Sequence, residues 1–418
     1  MATSTTTTLT TRERAFPTVQ VRSDGVSAQR EPRLGTMHRE PSSTRRNPQT
    51  TRAAMADGQN APSAYPAAHS SFINSIIGYE ALYRSARKCW KGVGRKFSSQ
   101  SYTLNIIEKT IELANQLRDG IYKLGITRVV KITFPKARTA LSIPFRDRVY
   151  QRSINDNALY PQVTPHFIYA NYACQRGKGT DAALKWMKSM LHRAWLNYRT
   201  NDFCIISGDA RKYYDSMIHS ETERIFRRYI DAWTADRVVH TLATQYKGDR
   251  GYNPGSQMVQ IAGISYLNEF DHFVKEVIRC RYYVRYMDDF HLICPNFEIA
   301  DTIKDRLSEN LAKVGLSLHP TKTRIRSAKD GVKFLGFLFR VTESGKVLML
   351  RDPQRVKEVR RRLRRLAHRI HRGEVEAEVL DESYRCVRAC MAKGNSRRLI
   401  RRMDDFVSNL KKGNDYEN

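Results

Sequence analysis

The spacing of apolar residues changes repeatedly along the chain, and each spacing predicts an element. Between Phe72 and Phe97, Ile73, Ile76, Ile77, Leu82 and Tyr83 supply one face of a helical segment. Arg84, Arg87, Lys88, Lys91, Arg95 and Lys96 supply the other. Ile106, Ile107, Ile111, Leu113 and Leu117 form a second buried stripe and predict a helix over 104–122. Two β-prone runs, 129–134 and 136–144, join through Pro135 and predict a hairpin, with a helix following at 145–151. Further helices are predicted at 181–195, 261–278 and 303–314, and 332–339 alternates as one strand. Past Pro353, Val356, Val359, Leu363, Leu366 and Ile370 form the seam of a long helix, and a second basic helix is predicted near 396–403.

Before Phe72 this patterning is lost. Residues 1–69 are rich in Thr, Ser, Arg, Ala and Pro, and cannot bury enough apolar surface to fold alone. They read as a disordered tail. An organelle transit peptide is the rival, and Glu13, Asp24, Glu31 and Glu40 count against it. A true start nearer Met55 is a third reading.

Two stretches set acid against an apolar background. Tyr283 to Ile293 holds β-prone runs on either side of Asp288 and Asp289, the pattern of a hairpin with the carboxylates at its tip. Upstream, Phe203 to Asp209 is an apolar run ending in acid. Adjacent like charges are costly, and a divalent cation relieves the cost. Asp209, Asp288 and Asp289 together are suited to hold two Mg²⁺ ions about 4 Å apart, with Mn²⁺ as an alternative, for in-line phosphoryl transfer. The plainer reading of Asp209 is a helix cap.

The chain's formal net charge of +30 changes the picture again, because an excess of this size implies a polyanionic partner, most simply nucleic acid. No run of about eighteen apolar residues exists, so no transmembrane helix and no membrane partner are expected. Seven scattered cysteines, with no CxxC pair, suggest neither zinc nor a disulfide framework and fit a reducing interior.

Tyr286-Met287-Asp288-Asp289 resembles the YxDD signature of reverse transcriptases. Asp209 to Asp215 resembles their first catalytic motif, and ordered likenesses continue from about Ser101 to the C-terminus. The chain is identified on these residues as similar to the bacterial group II intron, retron, diversity-generating and defence-associated types. The resemblance implies an α+β right-hand polymerase fold: fingers at 70–200, palm at 201–345, and a basic helical thumb at 346–418 behind the disordered tail. It gives Arg138 a role on the triphosphate of the incoming nucleotide, with Lys131 and Lys136 as helpers. Tyr214, five residues after Asp209, would be the steric gate against ribonucleotides, with Tyr213 as its competitor. Pro254-Gly255 and Val259-Gln260 would be the template-positioning motif, with Val in place of the expected Ser, leaving Gly255 and Gln260 as site residues. Lys322 would stand near the pyrophosphate leaving group, or be an exposed loop lysine. Phe334, Leu335 and Gly336 resemble the primer grip. Gly177-Lys178-Gly179 would contact template or primer backbone, or be a plain turn.

The activity so implied is RNA-directed DNA polymerisation, with an RNA template, a DNA primer or product and deoxynucleotides as partners. Dependence on a genetic neighbour or on a dedicated structured noncoding RNA is also expected, since the residues after the thumb are too few for another catalytic module. A noncatalytic maturase-like RNA-binding scaffold is the alternative. An RNA-dependent RNA polymerase is a third reading, which Tyr214 and Met287 argue against. A bacterial cytoplasm is the expected location, with antiviral defence among the expected roles.

Overall fold

The β-prone runs pair into three antiparallel sheets. The computed structural model describes residues 67–133 and 137–413. Strands β1 (Arg128–Ile132) and β2 (Arg138–Ser142) form the first hairpin, with Ile132 opposite Arg138. The second sheet holds β3 (Cys204–Asp209), β4 (Tyr283–Tyr286), β5 (Asp289–Cys294) and β6 (Arg324–Ser327), in the order β4-β5-β3-β6. The third runs β7 (Val332–Phe334), β8 (Phe337–Val341), β9 (Val347–Arg351).

The four-stranded sheet is buried on both faces, which is why β3 reads as a continuous apolar run rather than an alternating one. Cys204, Ile206, Phe290 and Leu292 pack into one core with Met258, Ile261 and Ala262 of helix Gln257–Tyr266 and Leu307 of helix Phe297–Ala312. Ile205, Val284 and Ile293 pack into the other, against Phe334, Phe337 and Phe339 and against Met187 and Leu191 of helix Thr180–Tyr198. The sheet is thereby clamped, and its β3 and β5 ends carry the acidic residues.

The C-terminal segment is a three-helix unit: Pro353–His371, Glu378–Ala392 and Arg397–Lys411 around Leu363, Leu380, Met403 and Leu410. Asp352 accepts a hydrogen bond from Gln354 N (3.2 Å) and Pro353 occupies the first turn, a well-formed helix start.

Several boundaries differ from the predicted ones. A helix starts at Ala67, inside the segment read as tail, where two alanines favour it; the rest of that reading, residues 1–66, lies outside the described residues. The segment 332–339 is two strands, because Leu335 and Gly336 take φ of +46° and +80° and turn the chain back. The helix expected at 261–278 begins at Gln257, capped by Ser256, and is interrupted near Leu267. All seven cysteines are free, and among the described residues no helix is long and apolar enough to cross a membrane.

Candidate active site

Tyr286 pairs with Asp289, so the β4–β5 turn consists of Met287 and Asp288 alone, with Met287 at φ +60°. Asp289 opens β5 and stands directly opposite Asp209, the last residue of β3. Opposite residues of an antiparallel pair share a face, with Cβ atoms about 5 Å apart. The three predicted aspartates therefore meet at one end of one sheet.

What holds the turn is a buried ion pair. Arg285 and Asp271 are both fully buried, and Arg285 Nη2 reaches Asp271 Oδ2 at 2.5 Å. Arg285 Nη1 donates to the Met287 carbonyl (2.8 Å), and Nη2 donates to the Ile264 carbonyl (3.1 Å) of helix Gln257–Tyr266. Tyr283 donates its hydroxyl to Asp271 Oδ1 (2.7 Å). One guanidinium thus ties the acidic turn to the neighbouring helix, and its planar fork suits it to do so. An arginine inside an apolar strand was the available signal for this pair, since such a charge needs a buried partner.

A loop from helix Phe297–Ala312 closes the other side. His319 N donates to the Asp209 carbonyl (2.7 Å), and Lys322 Nζ donates to both Asp209 carboxylate oxygens (2.8 and 3.0 Å). Asp289 faces His291, whose Nε2 is 3.2 Å away; its Nδ1 lies 3.0 Å from Ser207 Oγ, and its ring meets Phe334 edge-on at 4.8 Å. The residue-by-residue pattern did not single out His291 or Ser207. Ser207, Asp209, Asp289, His291 and Lys322 border a cavity of about 400 Å³. Burial pushes the Asp288 carboxyl up to about 6, and the charges of Asp209 and Asp289 add to the shift.

Carboxylate oxygens are the donors Mg²⁺ takes, commonly one or two of them with water and substrate phosphates. Asp209, Asp288 and Asp289 fit that chemistry, and a cation would relieve the burial of the Asp288 charge and the smaller repulsion from Asp209 and Asp289 that together raise its carboxyl. They are not drawn into a ready-made ligand set, and among the described residues no three acidic, His or Cys side chains converge as one. Lys322 takes up the Asp209 oxygens instead.

Around this end the other predicted residues separate into groups. Tyr213 is buried and donates its hydroxyl to the Gly263 carbonyl; Tyr214 is half-buried, and a Cβ on Gly263 would come within 2.9 Å of its hydroxyl. Only Tyr214 of the two has an exposed edge. Arg138 is exposed on β2. That strand docks on the loop before helix Gln257–Tyr266: Leu141 N donates to the Pro254 carbonyl (3.0 Å), and Thr139 Oγ1 to Asn253 Oδ1 (2.8 Å). Gly255 lies beneath it, where a Cβ would be 2.2 Å from the Leu141 carbonyl oxygen. Its requirement for glycine is explained by close approach to β2.

Gln260 is exposed and borders a cleft of about 540 Å³ with Arg152, Cys174 and Arg176. Phe334 is buried, while Leu335 and Gly336 are half-buried in the β7–β8 turn. Lys131 is exposed on β1; Lys136 lies outside the described residues. Lys178 is turned inward, donating to the carbonyls of Tyr169 and Asn171 (2.9 Å each) between the Tyr169 and Tyr172 rings. The Gly-Lys-Gly run is therefore an internally braced turn.

The family described as Reverse transcriptase (RNA-dependent DNA polymerase) matches residues 134–339. The likeness to reverse transcriptases is thus shown for residues 134–339, just under half of the chain. The match contains all three aspartates, Lys322 and the β7–β8 turn, and the family is one of nucleotidyltransferases. The fold is accordingly the reverse transcriptase palm, mixed helix and sheet. No curated protein matches the chain. Among solved structures the chain is similar to telomerase from Candida albicans, solved in complex with a TWJ fragment of telomeric RNA. The identity is 12% and the TM-score 0.42, covering 71% of this chain and 61% of that one.

Proposed function

We propose that the protein copies RNA into DNA at the shared end of β3 and β5. The observation that carries this reading is the register of Asp209 against Asp289, beside the Asp288 turn, inside the matched residues. In the reaction, a primer 3′-hydroxyl attacks the α-phosphate of a deoxynucleotide; one P–O bond forms and the bond to pyrophosphate breaks. Mg²⁺, when bound by Asp209, Asp288 and Asp289, would supply charge neutralisation of the attacking and leaving oxygens.

The chain's own residues do the positioning. Lys322, which donates to Asp209 at this end of the sheet, donates a proton to the departing phosphate. Tyr214 excludes a ribose 2′-hydroxyl by bulk. Arg138, on the strand that Gly255 supports, grips phosphate oxygens. Phe334, Leu335 and Gly336 support the primer end, and Gln260 the template. Partners are an RNA template, a DNA primer or product and deoxynucleotides, in a bacterial system of the retron, diversity-generating or defence kind with its own structured RNA.

A noncatalytic RNA-binding scaffold is favoured by one observation: Lys322 already neutralises Asp209. Primer extension on an RNA template with Mg²⁺ and four deoxynucleotides separates the two. Wild type should extend, and the Asp288→Ala/Asp289→Ala variant should not. Absence of extension by wild type with RNA binding intact would select the scaffold.

A further inference from the structure

Helix Tyr79–Trp90 lies outside the residues that match the reverse transcriptase family. Its inner stripe, Leu82, Ala86 and Cys89, is buried in the local core. A second stripe has no such explanation. Tyr79, Tyr83, Arg87 and Trp90-Lys91 recur about one turn apart and share a side of the helix. The Tyr79 and Tyr83 rings stack, with centroids 5.7 Å apart and planes at 24°.

A groove of about 570 Å³ opens along this stripe. Tyr83, Arg87, Lys88, Trp90 and Lys91 line it, with Thr103 and Ile106 on the far wall and no acidic side chain in the lining. Trp90 is braced from behind: a Cβ on Gly94 would come within 2.8 Å of the indole. Arg87 and Lys91 are exposed, and Tyr83 and Trp90 half-buried. Lys88 also lines the cleft that contains Arg152, Arg176 and Gln260. It is ion-paired to Asp156 at 2.7 Å, which fixes it at the junction of the two hollows. Beyond that junction the Arg176 guanidinium lies 4.9 Å over the Tyr160 ring.

Aromatic faces held beside the exposed cations Arg87 and Lys91 are what an unpaired strand requires. Every base offers a π-face, and the backbone offers phosphates at regular intervals. A duplex has no free base faces to offer. We infer that this groove receives the uncopied, unpaired part of the RNA template and leads it past Lys88 toward Gln260. The inference rests on the polymerase reading, since Gln260 is its template end.

The test uses Arg87→Ala/Lys91→Ala, at exposed positions, and Trp90→Leu, which keeps apolar volume and removes the indole. Anisotropy is read on an unpaired RNA oligonucleotide and on an RNA–DNA hybrid whose template ends flush. Primer extension is read on the flush hybrid extended by only a few template nucleotides and on one with a long unpaired 5′ template. Both variants should lose affinity for unpaired RNA on the order of tenfold. They should also lose the wild type's preference for the long overhang, while binding the flush hybrid as before. Equal loss on flush and overhanging substrates, or no loss on either, overturns the groove. Absence of extension by wild type overturns the polymerase reading instead, and with it the assignment of the bound strand as template.

Discussion

Asp288 sits in a two-residue turn with Asp289 beside it and Asp209 across the strands, and its carboxyl is pushed up to about 6, first by burial and then by those charges. An unfolded aspartate titrates near 3.9. Between roughly pH 4 and 6 the folded state therefore binds more protons than the unfolded one, so stability falls as pH rises through that window, and the full cost is present above it. Asp288→Asn removes the cost. In EDTA at neutral pH the variant should be more stable than wild type by about 2 kcal/mol, and the gap should close near pH 4. Denaturant titrations at the two pH values check this, and added Mg²⁺ should narrow the neutral-pH gap by stabilising only the wild type. Tyr214 gives a second residue-scale test. Its neighbour Tyr213 is locked to the Gly263 carbonyl, so the free edge belongs to Tyr214 alone. Tyr214→Ala should raise ribonucleotide incorporation by about tenfold or more relative to deoxynucleotide, while Tyr213→Ala should chiefly lower stability. Competitive incorporation assays and melting curves distinguish the two outcomes.

At the scale of elements, the β1–β2 hairpin and the loop before helix Gln257–Tyr266 meet through backbone contacts that only a glycine at 255 permits. Gly255→Ala should push β2, and Arg138 with it, out of place. Nucleotide KM should rise by about tenfold or more, with melting temperature little changed. Steady-state kinetics on a fixed primer–template check it, and an unaltered KM would mean that Arg138 does not depend on this docking. The same elements explain what the sequence made legible. The Asp288–Asp289 hairpin could be read because two apolar runs flank a short polar tip, and the end of β3 because acid follows an unbroken apolar run. The β7–β8 turn could not, because Leu335 looks like one more apolar position of a strand and only its φ of +46° reveals the reversal. Asp271 escaped notice because it lies fourteen residues from Arg285 and outside the strand, so only the fold brings them together. His291 was hidden by its place in an apolar strand, and helix Glu378–Ala392 by its weak apolar stripe, with only Leu380, Tyr384 and Met391 buried.

For the whole molecule, the net charge of +30 makes nucleic-acid binding a matter of counterion release. If the basic helix Pro353–His371 and the palm together cover six or more phosphates, affinity should fall by about a thousandfold or more between roughly 50 and 200 mM salt. A plot of log affinity against log salt measures the contacted phosphates, and a shallow slope would assign most of that charge to the bare surface. The Arg285–Asp271 pair acts at this scale as well, since it joins strand, helix and acidic turn at full burial. Removing one member strands a charge where water does not reach, at a cost of about 3–5 kcal/mol, a large share of a domain's whole stability. Single steps at either position therefore lead through a chain that barely folds. In the descent of this protein, 271 and 285 should therefore behave as one heritable character, kept together or exchanged together for a pair that closes the same space.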